Sequence, residues 1–384
     1  MTTTEKWPGR IALMVAHCAG MVDLVALPVW VGTLITVYHF DPQQAGGLAT
    51  LFLLGAVIAS LFFAPRFNRM NGRLATTIGF AGAALAFAFA STQSTFVPLA
   101  VAHAAAGLSA GTALSFTHGT IGRSVNPHRL FAIVGTALGV FAILFLGAAP
   151  NGIAAMGGSV LFQIFAGVMA VAAIVAALSF PQSAKDDVVI EAAASQKIGR
   201  AVWAGVLGVS TMALIQAMVF SFLQQVGTDN GYGLPAITGV LIALGFVNLL
   251  PAPLAAILEK RVKAEQVVLV GPIFQAVIAL LIMASTGFIP YAGGALFFAA
   301  VMIFTHTFAF GLLSRLDGTG RALAATPAML MVGSAIGPIL GGTLVKSFGY
   351  PAIGAAACIL ALVAVALFSQ ARVRDNAGAV GAVA

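Results

Sequence analysis

Charge is the scarcest property of this 384-residue chain: only 8% of its residues are Asp, Glu, Lys or Arg. A soluble domain carries about 25%. So little charge cannot coat a water-soluble surface on a chain of this length, and 60% of the residues are hydrophobic, with mean hydropathy +1.04. The solvent is therefore mostly lipid. Only two cysteines occur, Cys18 and Cys358, both in apolar runs. They imply no disulfide framework and read as small packing residues. No G-x-x-x-x-G-K-[ST], H-E-x-x-H, G-x-S-x-G or C-x-x-C is present. ATP-driven transport by this chain alone and hydrolase chemistry lose their motifs. No resident cofactor or metal is expected, and no enzyme activity.

Twelve apolar stretches are long enough, or nearly so, to cross the hydrocarbon, which takes about 20 residues. They run over 11–36, 44–64, 74–91, 96–121, 130–150, 157–179, 200–226, 236–257, 266–287, 292–314, 322–345 and 352–371. Numbered in order, they are spans 1 to 12. The first is too long for a signal-peptide core, and no A-x-A-like cleavage site follows it, so it reads as a retained span. The organisation repeats after 192 residues: Arg69, Arg123 and Arg129 fall on Arg261, Arg315 and Arg321. Two like halves are expected, 1–180 and 200–384, joined by a polar linker at 181–199, with substrate between them.

Seventeen of the eighteen Lys and Arg fall on one side of this arrangement, and Lys346 alone on the other. The positive-inside rule then puts both termini in the cytoplasm. The net charge of +7 is a topology signal. Nucleic-acid binding is not expected, because no soluble basic face exists to carry it.

Three local patterns carry a family resemblance. Residues 64–73, APRFNRMNGR, are a degraded G-x-x-x-D-R-x-G-R loop after span 2, with Asn68 at the acid position and Arg69 and Arg73 retained. Residues 255–261 are a second remnant, in which Glu259 keeps the acid before Arg261. In span 4, His103 stands at the Arg of R-x-x-x-G, ahead of Gly107 and Gly111. In span 11, GSAIGPILGG at 333–342 matches G-x-x-x-G-P-x-x-G-G, a pattern exporters carry in span 5. With twelve spans and a 6+6 repeat, the whole chain resembles the major facilitator superfamily, in its general bacterial or drug:proton antiporter-type branch. The resemblance implies an all-α membrane protein of two six-helix bundles in the cytoplasmic (inner) membrane. It also implies a charge latch between helix ends, carried by Arg69, Arg73, Arg123, Glu259, Arg261 and Arg315. Plain positive-inside loops are the alternative. The glycine stripes have a packing account as well, since small residues let helices approach closely.

Of the eleven acidic residues, only Asp23 lies mid-span. A charged Asp there costs roughly 2.5–3.5 kcal/mol on the insertion scale. A lone buried carboxyl can load and release a proton as its cavity opens to either side, and a static hydrogen-bonded Asp is the alternative. His17, His103 and His306 are the other titratable groups within spans, with His118 near one end of span 4. Each is singly as consistent with packing as with proton relay; together with one carboxyl they favour a relay. His17 and Asp23 are six residues apart, about 240° around a straight helix. They share a face only if the helix bends at Gly20.

No Lys or Arg lies mid-membrane. An anionic substrate is thereby disfavoured, and a neutral or cationic organic molecule fits better. Candidate contacts are Gln163, Gln216 and Asn248, with Trp30, Phe220 and Phe310 as stacking faces; interhelical hydrogen bonds and lipid-facing aromatics are the plainer account for most of them, with Gln216 and Asn248, near mid-span in spans 7 and 8, the preferred exceptions. Met14, His17, Cys18 and Met21 share one helix face and are soft ligands. Chance is the better account of that cluster. The chain is expected to be a monomeric proton-coupled carrier, powered by a proton gradient, with efflux slightly favoured. Uptake of a metabolite or soft-metal complex is the alternative, and a non-transporting receptor on a transporter fold is a third reading.

Overall fold

The computed structural model of the protein describes Thr4 and residues 6–181, 199–317 and 326–371. Most of the expected linker, Arg321 and the tail from Arg372 lie outside the described residues.

An apolar chain in lipid must satisfy every backbone N–H and C=O internally, so long apolar runs become helices. Among the described residues twelve helices are long and apolar enough to span a membrane: Trp7–Thr36, Pro42–Phe63, Gly72–Ala90, Phe96–Gly122, Arg129–Met156, Ser159–Ser179, Arg200–Asp229, Leu234–Leu258, Ala264–Ala284, Phe288–Leu316, Met329–Phe348 and Pro351–Gln370. Among the described residues there is no strand. The expected boundaries hold to within four residues, except that span 5 runs six residues further, to Met156; the expected start of span 11 at 322 lies outside the described residues. The even number of spans brings the start of span 1 and the end of span 12 to one face, called here the terminal face. The opposite face is the distal face.

Helix starts follow local chemistry. Pro42, Pro127 and Pro351 take first-turn positions, where a missing N–H costs nothing. The side chains of Asn71 and Asn126 accept from Leu74 N–H and Arg129 N–H. Asp41 and Gln44 cap reciprocally: Gln44 N–H donates to Asp41 Oδ1 at 2.9 Å, and Asp41 N–H to Gln44 Oε1 at 3.2 Å.

Three spans are interrupted. Span 1 breaks at Met21, between helices Trp7–Gly20 and Val22–Thr36. Span 7 breaks at Phe222, between Arg200–Ser221 and Leu223–Asp229. Span 8 breaks between Leu234–Val247 and Pro251–Leu258, where prolines 251 and 253 deny the chain two N–H donors.

Small residues bring the helices together. At Gly107 and Gly111 of span 4 an added Cβ would overlap the backbone of Phe52 and Ala56 in span 2. The span 4 stripe is thus a packing surface. Large apolar side chains such as Leu85, Leu178 and Ile289 stand exposed, which suits a lipid surroundings.

Candidate functional site: the seam between the halves

Span 2 packs on span 11, span 5 on span 8, and span 1 on span 7. These contacts concentrate toward the distal face. Lys346 Nζ donates to Asp41 Oδ2 at 2.9 Å and to Gln43 Oε1 at 3.4 Å. Gln43 Nε2 donates to Thr343 Oγ1 at 3.3 Å, and Ile339 N–H to Thr50 Oγ1 at 3.2 Å. Thr50 lies eight residues into span 2, about 12 Å from its distal end. Burial alone would raise the Asp41 carboxyl. The Gln44 N–H and the Lys346 ammonium outweigh it and hold Asp41 below its ordinary value.

Backbones meet in the same zone. The span 11 glycines 333, 337 and 341 lie against span 7, while Gly342 lies against Pro42 of span 2. Gly46 faces Pro338 C at 2.7 Å from where its Cβ would stand. The G-x-x-x-G-P-x-x-G-G stretch is therefore a packing surface of span 11 that touches both halves. On span 1, Gly32 leaves room for the Gln224 amide of span 7.

Exposure changes along the seam. Span 1 is buried from Val25 to Leu34, whereas Leu24 and Ile11 are exposed toward the terminal face. Span 7 repeats this, with Ile215 to Val226 buried and Leu207 and Trp203 exposed. The halves are joined distally.

Asp23 sits where these zones meet. It is buried, follows the break at Met21 and occupies the first turn of the second helix of span 1. The backbone N–H groups of Asp23 and Leu24 lie beside its carboxyl. Leu24 N–H also donates to Met21 O at 3.2 Å, and the start of this helix presents the positive end of its dipole. Sequence placed the acid mid-span and raised a bend at Gly20; the break falls beside it, at Met21.

The other candidates disperse. His17 does not meet Asp23. Its Nδ1 lies 3.1 Å from His118 Nε2, joining span 1 to span 4. Trp30 and His103 bond each other inside the N-terminal half: the indole N–H donates to His103 Nε2 at 3.1 Å, and His103 Nδ1 meets Leu99 O at 2.6 Å. This fixes His103 as the Nδ1–H tautomer. Phe52, Phe87 and Phe165 surround Trp30, and neither Trp30 nor His103 has any exposed surface. Trp30, expected as a stacking face, is packed on all sides, and His103 faces no open cavity.

In the C-terminal half, Gln275 Nε2 donates to Gln216 Oε1 at 3.3 Å and to Met212 O at 3.2 Å. This cross-span amide pair leaves Gln275 Oε1 buried without a partner. Asn248 lies at the break in span 8, and its Oδ1 is also buried without a partner. Gln224 and Gln225 carry the same feature on span 7. Phe220 is buried, Gln163 is exposed on span 6, and His306 is half-buried with its ring 5.0 Å from Phe310 and its Nδ1 on Met302 O.

The terminal-face cations take different partners in the two halves. Arg123 lies over the Phe67 ring at 3.9 Å, and Arg73 Nε donates to Phe180 O at 3.1 Å. Arg69 is exposed. In the second half Arg315 pairs with Glu265 at 3.2 Å. Glu259 and Arg261 line a polar pocket there with Lys260 and Lys263. Glu259 is the repeat equivalent of Phe67, yet Arg315 bonds Glu265. Sequence gave no sign of Glu265, Asp41 or Tyr350, whose hydroxyl donates to Asp229 Oδ2 at 2.5 Å.

Residues 12–316 match the family model of the Major Facilitator Superfamily. Among solved structures, the chain is similar to the nucleoside transporter NupG, at 12% identity and TM-score 0.72, covering 94% of this chain and 98% of that one. It is similar to a D-xylose–proton symporter at 16% identity and TM-score 0.72, covering 95% and 97%. A bacterial homologue of the human lysosomal transporter Spinster, inward-facing and occupied, aligns at 14% identity and TM-score 0.68, covering 94% and 93%. No curated protein matches the chain in sequence. These identities speak for the fold, and the family match speaks for the class: this chain belongs to the Major Facilitator Superfamily and is a membrane transporter.

Proposed function

We propose that the chain is a proton-coupled carrier of a small neutral or cationic organic molecule, working by alternating access, with export the favoured direction. The halves, 1–180 and 200–384, rock about the seam. Asp23 exchanges the proton. One observation carries this reading: the sole mid-span acid of the chain sits at a helix break, at the edge of the closed distal seam. A carboxyl there gains or loses contact with water as the seam opens and closes, so its two protonation states favour different conformations. The span interiors carry no Lys or Arg. That supports a substrate without negative charge. The unpartnered amide oxygens of Asn248, Gln224 and Gln225 are acceptors suited to a donor-bearing ligand. By the positive-inside rule the terminal face is cytoplasmic, so this state is closed to the outside.

The test uses proteoliposomes holding a pH-sensitive dye, challenged with a panel of neutral and cationic organic compounds. Wild-type protein moves protons when a substrate is met, and the sign separates export from uptake. Asp23→Asn stops the proton movement and leaves substrate counterflow intact. Undiminished proton movement in Asp23→Asn would remove Asp23 from the mechanism.

A further inference from the structure

Outside the seam, the C-terminal half carries a second groove. The second helix of span 8, Pro251–Leu258, and span 9 both pack on span 10 but scarcely on each other. The gap between them is a cavity of about 530 Å³. Its walls are apolar, with Leu250, Leu254, Val270, Phe274, Phe297 and Phe304 prominent. Four of these, Leu250, Leu254, Phe274 and Phe297, are large side chains with about half or more of their surface open. The break in span 8 at Asn248 sets the groove's upper end. From Gln266 to Phe274 the span 9 wall of the groove rises about 12 Å, against about 15 Å for one leaflet of the hydrocarbon. The groove is therefore close to one leaflet deep.

At its terminal end the groove meets a second cavity, of about 600 Å³, and Val262 lines both. The second cavity is polar. Lys260, Arg261, Lys263 and Arg315 line it against two acids, Glu259 and Glu265, of which Glu265 is bonded to Arg315. Its excess charge is positive. Thus an apolar slot of leaflet depth opens at headgroup level onto a cationic bowl.

We infer that this composite groove is a binding site for an anionic phospholipid, with one acyl chain between spans 8, 9 and 10 and the phosphate in the Lys260–Lys263 bowl. A lipid satisfies both parts at once. A free phosphate has no use for the slot, and a lipophilic transport substrate has none for the bowl. Basic pockets at the cytoplasmic ends of spans recruit anionic headgroups in this way.

Native mass spectrometry of the full chain in detergent, titrated with phosphatidylglycerol and phosphatidylcholine of matched chains, tests the inference. One phosphatidylglycerol is expected to be retained in preference to phosphatidylcholine. Its affinity rises as the acyl chains lengthen from six to sixteen carbons, and inorganic phosphate does not compete. The triple variant Lys260→Gln, Arg261→Gln, Lys263→Gln loses affinity by roughly fivefold per cation removed. Val270→Trp, which fills the slot, removes the chain-length dependence. Equal retention of the two lipids, competition by phosphate at millimolar concentration, or chain-length dependence that survives Val270→Trp in a folded protein would each overturn the site. A transport defect in Val270→Trp with lipid retention unchanged would make the slot a substrate route and likewise overturn it.

Discussion

The distal seam closes through backbone contacts at two glycines, and each is a place to pry it open. Gly46 of span 2 lies against Pro338 of span 11, and Gly342 of span 11 lies against Pro42 of span 2. A Cβ at Gly46 would stand 2.7 Å from Pro338 C and 3.2 Å from Ile339 N. At Gly342 it would stand 2.7 Å from Pro42 C and 2.9 Å from Gln43 Cα. The obstacles are backbone atoms of a neighbouring helix, so no side chain can swing away. The helices must separate. Overpacking of this kind costs about 1–3 kcal/mol. The cost falls on the distally closed state alone, because the seam parts in the other. Gly46→Ala therefore shifts the balance toward the distally open state by roughly 5–150-fold. Gly342→Ala does the same. The double variant shifts it by less than the product, since the first separation makes room for the second methyl. Spin labels on Thr92→Cys and Thr286→Cys, at exposed distal turns of the two halves, read the change, with Cys18 and Cys358 replaced by Ala. Pulsed electron–electron resonance then shows a longer-distance population growing with each substitution. Gly135→Ala is the control, as nothing lies within 4 Å of its added Cβ. If a folded Gly46→Ala protein kept the wild-type distance distribution, the seam would not be the closing surface.

Two further outcomes follow from the geometry. Asp41 is held below its ordinary carboxyl value, so its contribution to distal closure is complete above about pH 4 and is lost as pH falls through the depressed value. The pair with Lys346 is a third to a half exposed and screened by water, so the effect is about 0.2–1 kcal/mol. The same label pair is expected to lengthen modestly on acidification in wild type and to show no such step in Lys346→Met; an identical step in both would clear Asp41 of the role. His103→Leu strands the Trp30 indole N–H in a fully buried site and lowers stability by about 1–3 kcal/mol. Pairing it with Trp30→Phe recovers part of that loss in thermal unfolding. An unchanged melting curve for His103→Leu would show that the bond contributes nothing.

What sequence alone determined is what local chemistry dictates. Apolar runs long enough to cross lipid must be helical, so twelve spans were legible. Positive charge gathers on one face, and the 192-residue repeat announced two halves. The glycines at 107, 111, 333, 337 and 341 were readable as packing surfaces, because a missing side chain has the same consequence on any helix. Partnership was not legible. His17 meets His118 rather than Asp23, Trp30 and His103 bond each other, and Arg315 meets Glu265 rather than Glu259. Lys346, the lone Lys or Arg of the distal face among the described residues, is paired across the seam with Asp41. Each of these depends on how far a helix is rotated about its own axis and on where spans 1, 7 and 8 break. Hydropathy is blind to rotation, since a span apolar all round has no preferred face. Only the packing of neighbouring helices sets that angle, and with it which polar groups meet.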